Sequence, residues 1–250
     1  MLLELKKGCV YGPVSSRRLG RSLGINVLPA ARKVCTFDCQ YCQYGWTRPD
    51  CLATADGFPI VATVLAEMEA ALARLPDPPA FLTFSGNGEP TLHPEFPGLV
   101  DGVIALRDRV VPSARTAILS NSTRVGDPAI RAALRRLDAR IMKLDAGSQA
   151  VLDAFNQPLE PLGIDELVEG LRDLGDVTIQ ALFAGGPAGN HVPEHVAAWL
   201  ARVERIRPVA VQVYTLDRDV PSRHLAPVPR PDLEAIAAAL EARGIAATAF

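Results

Sequence analysis

Apolar and polar positions fall into two kinds of block along this chain. The first kind is a short run that is apolar at nearly every position. S-L-G-I-N-V-L (22–28), A-F-L-T-F-S (80–85), T-A-I-L-S (116–120), R-I-M-K-L-D-A (140–146), V-T-I-Q-A-L-F (177–183) and V-A-V-Q-V-Y-T (209–215) are of this kind and predict buried strands. The second kind has apolar residues three and four apart, the period of a helix face. The stretch 60–74 carries such a stripe at Val61, Val64, Leu65 and Met68, and 93–106, 127–137, 148–155, 164–173 and 192–206 follow suit. The stretch 231–244 opens on Pro231 and closes on Gly244, the usual helix punctuation, and 245–250 predicts a short last strand.

Strands separated by helices imply βα units and a parallel sheet. Strands apolar on both faces suit a sheet covered on both sides, so the expected class is α/β. The polar residues gather where strands end: Ser85 to Glu89, Ser120 to Thr123, Asp145, Gly185 and Gly186, then Asp217 and Arg218. In parallel sheets and barrels, sites form at the carboxyl ends of strands, which brings these residues to one rim.

The chain has 250 residues, 48% hydrophobic and 22% charged, enough to bury a core without disulfides or metal. The net charge of -2 supplies no global positive field for nucleic acid or membrane. No apolar run reaches 18 residues, and M-L-L-E-L-K-K-G brings charges in too early for a secretory leader. The expectation is a cytoplasmic protein without membrane contact.

Cysteine usage changes the picture. There are five, Cys9, Cys35, Cys39, Cys42 and Cys51, an odd number that argues against a disulfide framework. Three lie within eight residues, as C-x3-C-x2-C. Iron–sulfur clusters prefer thiolates, and three of them leave one iron of a cubane open to an exogenous ligand. Phe37 and Tyr41 stand ready to shield such a cluster. Other readings remain: one helix face of small buried residues at i, i+4, i+7, a plain electron carrier, or a zinc module. Structural zinc wants four ligands, and only His93 or Cys51 offers a fourth.

C-T-F-D-C-Q-Y-C resembles the cluster loop of the radical S-adenosylmethionine (SAM) superfamily. Y-G-P-V-S-S-R-R-L-G-R-S-L-G-I-N before it and Q-Y-G after it resemble the branch grouped with wyosine-type tRNA-modifying enzymes. S-G-N-G-E-P-T-L-H, I-L-S-N-S-T, K-L-D-A and V-Q-V-Y-T-L-D-R extend the likeness from about residue 10 to 245. The resemblance implies a partial (β/α)6 barrel of the TIM type. The whole chain, 1–250, would be one core domain with a cluster loop at 33–45 and an N-terminal extension at 1–20. It implies a [4Fe-4S] cluster on Cys35, Cys39 and Cys42, with SAM on the fourth iron. An external one-electron donor such as flavodoxin or ferredoxin would reduce the cluster. The substrate is left open among an RNA base, a peptide and a small molecule. Only Cys9 precedes the main loop, so the second cluster of some relatives is not expected.

The same resemblance assigns cofactor contacts to Gly86, Asn87, Gly88 and Glu89, to Ser120 and Asn121, and to the Tyr41 backbone. A tight turn, helix caps and core packing are the plainer accounts of the same residues. Lys143 and Asp145 lie two apart on one strand and so share a face. They are candidates for catalysis, or for a structural ion pair. Gln180 is a candidate for cofactor contact, and with Gln212, Tyr214 and Arg218 for substrate contact. The basic run Arg17, Arg18, Arg21, Arg32 and Lys33 offers either a phosphate site, for tRNA or a reductant, or a solvated, ion-paired face.

Overall fold

The computed structural model describes residues 2–54 and 56–250. Its centre is an eight-stranded sheet. A hairpin of β1 (Val10–Ser16) and β2 (Gly20–Ile25) forms one edge. From β2 onward the strands run parallel and in chain order: β3 (Phe81–Phe84), β4 (Arg115–Ser120), β5 (Ala139–Lys143) and β6 (Val177–Leu182). A two-residue strand β7 (Ala184–Gly185) leaves the sheet after β6. Then β8 (Ala210–Tyr214) pairs with β6 and, past the tiny β9 (Ala226–Pro227), β10 (Ala247–Ala249) closes the far edge. No ladder joins β1 to β10, so the barrel is partial, with a gap between those edges.

Helices cover the outside: α1 (Val61–Leu72), α2 (Phe96–Val110), α3 (Pro128–Arg135), the single turn α4 (Gln149–Val151), α5 (Ile164–Leu174), α6 (Pro193–Ile206) and α7 (Arg230–Glu241). Local sequence explains their limits. Asp127 accepts from the backbone of Ala129 and Ile130, and Pro128 opens α3. α5 buries Ile164, Leu167, Val168, Leu171 and Leu174, one stripe at helical spacing, and ends at Gly175 with φ 69°. The stripes pack on the outward residues of the strands. Leu82, Phe84, Ile118, Met142, Ile179, Val211 and Val213 are all fully buried.

Three expectations change. Residues 10–16, expected to lie in an N-terminal extension ahead of the first strand, form the sheet's edge strand. Its V-Y-G-P-V-S-S sequence, polar and broken by Gly12 and Pro13, hides that role, since proline is tolerated at edges. The helix expected at 148–155 is one α turn that widens into a π turn over Leu152–Asn156. The helix expected from 93 starts at Phe96, behind a 3-10 turn at Pro90–Leu92.

Candidate active site

The three cysteines lie in an irregular loop, not on a helix, which removes the helix-face reading. Backbone contacts hold this loop on both sides. Val34 donates to the Asn87 carbonyl at 2.9 Å, and Glu89 donates to the Val34 carbonyl at 3.0 Å. Opposite, Asp38 donates to the Gln157 carbonyl at 3.0 Å and Leu159 to the Thr36 carbonyl at 2.8 Å. The loop thus lies between the segments that follow β3 and β5. Gly88, at φ 139°, makes the first contact possible: a Cβ there would stand 1.8 Å from the Val34 carbonyl oxygen.

Cys35 and Cys39 are each 9% exposed, while Cys42 is less buried. Burial pushes the Cys39 thiol up to about 11, with the Asp145 charge adding to it, and pushes Cys35 up as well. Metal binding here must therefore displace protons. The surroundings favour thiolates once formed. The Asn121 amide donates to Cys35 Sγ at 3.5 Å and the Asn156 amide to Cys39 Sγ at 3.6 Å. Lys33 is buried beside all three cysteines and donates to the Gly45 carbonyl at 2.8 Å. Burial opposes its charge, but Cys42 and Cys35 together hold its ammonium above the ordinary lysine value.

Among the described residues no three Cys, His, Asp or Glu side chains converge on a point that one ion could fill. A cubane binds each cysteine to a different iron, so its ligands stand farther apart than those of zinc. Amide donors to two sulfurs and a buried cation shared by all three fit that group.

Glu89 is 1% exposed and already engaged. Its carboxylate accepts from the Thr91 backbone at 3.0 Å, the Thr91 hydroxyl at 2.7 Å, the Ser120 hydroxyl at 3.0 Å and the Asn121 backbone at 2.5 Å. Burial raises its pKa, and these donors oppose the rise. Asn87 is likewise spent on the scaffold. Its side chain donates to the Lys6 and Pro29 carbonyls, both at 2.9 Å, and accepts from the Lys6 backbone. Its backbone is engaged too: the Asn87 N–H donates to Asn26 Oδ1 at 3.1 Å and Gly88 donates to the Gly86 carbonyl at 2.8 Å, so Gly86 and Gly88 lack side chains but not backbone partners.

Asp145, just past β5, is buried and holds four donors. Oδ2 accepts from the Tyr41 hydroxyl and from the Asn156 amide at 2.8 Å. Oδ1 accepts from the Leu182 backbone at 2.8 Å and faces Lys143 Nζ at 3.3 Å. Lys143 donates to the Tyr214 hydroxyl at 2.5 Å. Burial would depress its ammonium, but Asp145 and Tyr214 hold it above the ordinary lysine value. Gln180 donates to Gln212 at 3.0 Å on the same inner face.

The basic run does not form one patch. Arg17 pairs with Asp217, Arg21 with Asp77, Arg32 donates to the Thr54 carbonyl, and Lys33 is buried. Among the described residues no hydrogen bond or ion pair joins Arg218 to the inner row. Sequence reading missed Asn156, whose amide joins Cys39, Tyr41 and Asp145, because its segment reads as ordinary helix. It also missed Lys33 as the cation among the thiols.

A sequence model of the Radical SAM superfamily matches residues 33–195, so this chain belongs to that superfamily. It is 30% identical over 225 residues to the UPF0026 protein of Helicobacter pylori, covering 87% of this chain and 68% of that protein. Its fold matches a radical SAM methyltransferase from Sphaerobacter thermophilus at TM-score 0.67 and 14% identity, over 92% of this chain and 65% of that one. A structure of TYW1 with a lysine-pyruvate adduct bound matches at TM-score 0.57 and 13% identity, over 89% and 73%. The chain is therefore a radical SAM enzyme with the superfamily's partial barrel. Its cofactors are those of the superfamily, a [4Fe-4S] cluster and SAM. No helix of the described residues is long and apolar enough to cross a membrane.

Proposed function

We propose that Cys35, Cys39 and Cys42 hold three irons of the cluster, that SAM takes the fourth, and that the enzyme draws a hydrogen atom from a substrate inside the barrel. When bound, cluster and cofactor supply one-electron cleavage of the sulfonium to methionine and a 5′-deoxyadenosyl radical.

The protein's own share is placement and exclusion. Gly86 and Gly88, having no side chains, would let their backbone come close to the cofactor's ammonium end. Glu89 holds Ser120 and Asn121 in place, and Asn121 offers its amide toward Cys35. Tyr41 presents its backbone to the adenine edge while its hydroxyl anchors the loop to Asp145. With its acceptors spent, Asp145 acts as a positioning residue, and Lys143 and Gln180 face the space where substrate binds. Cys42, the least buried cysteine, lies nearest the surface from which an external one-electron donor would approach.

The observation that carries this reading is the cluster loop itself. It is pinned from both sides, with sulfur-directed amides and one buried cation around three thiols. The test is anaerobic reconstitution with iron and sulfide, then dithionite and SAM. The expected product is 5′-deoxyadenosine, lost in Cys39→Ala. A colourless protein with stoichiometric zinc would favour a binding module instead.

A further inference from the structure

The inner face of the barrel carries a row of polar side chains. Lys143, Gln180, Gln212 and Thr248 are register neighbours across β5, β6, β8 and β10, and so share one row. Tyr214 stands two residues beyond Gln212, on the same face. Closed barrels pack such rows with branched apolar side chains. Here the row is polar, and Leu119, placed on that face by its pairing with Ile141, is 37% exposed.

Two cations meet at Tyr214. Lys143 Nζ lies 4.8 Å from the ring centroid, and the Arg18 guanidinium lies 4.4 Å from it. Arg18 also stands 5.1 Å from the Phe250 ring, so it spans the gap between the two sheet edges. Lys143 has Asp145 as counter-charge. Arg18 has only Asp217, which acts on it from beyond hydrogen-bond reach and is itself paired with Arg17: among the described residues no hydrogen bond leaves its guanidinium, and its Nε is buried without a partner. Its neighbours Arg17 and Arg21 each have an aspartate.

Stacking on two rings gives a guanidinium no acceptor, and a buried donor left without one is destabilising. The turn that carries Arg18 is fixed. Ser16 Oγ accepts from the backbone of Arg18 at 3.2 Å and of Leu19 at 3.1 Å. The side chain is thus delivered to the gap by a held turn and left with one donor unmet.

We propose that Arg18 and Lys143 form an oxyanion subsite inside the barrel, and that the substrate is a small molecule bearing a carboxylate or phosphate. Its oxygens take the free Nε–H of Arg18 and the remaining N–H of Lys143 beside Tyr214. The Gln180–Gln212 amide pair meets its polar body. This names the substrate class of the radical enzyme proposed above and rests on that reading. The rival occupant is the carboxylate of SAM itself.

The test is calorimetric titration of the reconstituted wild-type protein, saturated with SAM, with acetate and with inorganic phosphate in separate runs. Ionic strength is held constant with chloride. We expect one of the two to saturate in the millimolar range, which also tells carboxylate from phosphate. Arg18→Gln and Lys143→Gln should each weaken it at least tenfold. Arg18→Lys should recover part of the loss, and Arg17→Gln should bind as wild type does. Circular dichroism of each variant separates lost binding from lost folding.

The proposal is overturned if neither anion saturates, or if folded Arg18→Gln binds like wild type. It is also overturned if binding appears only when SAM is withheld, for then the cations serve the cofactor. Cofactor cleavage by the wild type is measured separately. A protein that makes 5′-deoxyadenosine but binds no anion sinks this inference alone. One that binds the anion but makes no 5′-deoxyadenosine sinks the radical reading and leaves the subsite standing.

Discussion

The Tyr41 hydroxyl donates to the Asp145 carboxylate, which ties the residue between Cys39 and Cys42 to the end of β5. Through this bond the strand sets where two of the three sulfurs stand. Asp145 is the hub, because Lys143, Asn156 and the Leu182 backbone converge on the same carboxylate.

Removing that hub strands several donors at once. Asp145→Ala leaves Lys143 without its counter-charge and Tyr41 without its acceptor, a change that costs ~3–5 kcal/mol when a buried pair is broken. For a chain of this size that is a fall in Tm of roughly 6–20 °C. Iron content after reconstitution should fall with it. Thermal denaturation and iron analysis check both, and an unchanged iron count would show that the loop does not depend on Asp145.

Gly88 admits no side chain. A Cβ would meet the Val34 carbonyl at 1.8 Å, and φ is 139°. Gly88→Ala must push the cluster loop off the 86–89 turn, so cluster retention should drop sharply. Gly98, within α2, has nothing within 4 Å of its Cβ position. Gly98→Ala should instead raise stability by about 0.5–1 kcal/mol, a contrast that denaturant melts will show.

Asn156 separates two kinds of support for Cys39. Asn156→Ala removes one amide from the sulfur, whereas Asn156→Asp puts a carboxylate beside Asp145 and the thiolate. Like charges oppose ionisation of both, so the aspartate variant should retain less cluster than the alanine variant. The ratio of absorbance near 400 nm, on the order expected for an iron–sulfur protein, to protein concentration reads this directly. Equal retention would remove Asn156 from the electrostatics of the site.

Cys9 gives an alkaline signature of its own, outside the three-cysteine loop. Burial, then the Glu67 carboxylate, pushes its thiol up to about 11 from an ordinary 9.0. Between those values the unfolded chain has lost the proton and the folded chain keeps it. The unfolded state then binds fewer protons, and stability falls as pH rises across that window. Two pH units correspond to at most about 2–3 kcal/mol. Cys9→Ala should flatten the decline between pH 9 and 11 in urea melts of the apoprotein.

Much of this was legible in the sequence, and the exceptions share a cause. Strands such as Val177–Leu182 announce themselves because both faces are apolar or neutral, and the rim residues follow from where those strands stop. The C-x3-C-x2-C spacing is local, so it needs no fold to be read. β1 escaped because its pairing with β2, not its composition, makes it a strand. Asn156 escaped because a π turn shifts side chains off helical spacing, and a turn of that kind leaves no simple period. The engagement of Glu89 with Ser120 and Asn121 escaped because it joins loops 31 and 32 residues apart. Arg18 was read as one of a charged run, while its stacking on Tyr214 and Phe250 depends on the barrel's curvature.

The most direct test of the central claim is electron paramagnetic resonance of the anaerobically reconstituted, dithionite-reduced protein, recorded before and after SAM is added. Three cysteine ligands and one open iron predict a reduced cubane signal that shifts when SAM binds, and its loss in Cys42→Ala. A protein that takes up no cubane, or one whose signal is indifferent to SAM, would contradict the account.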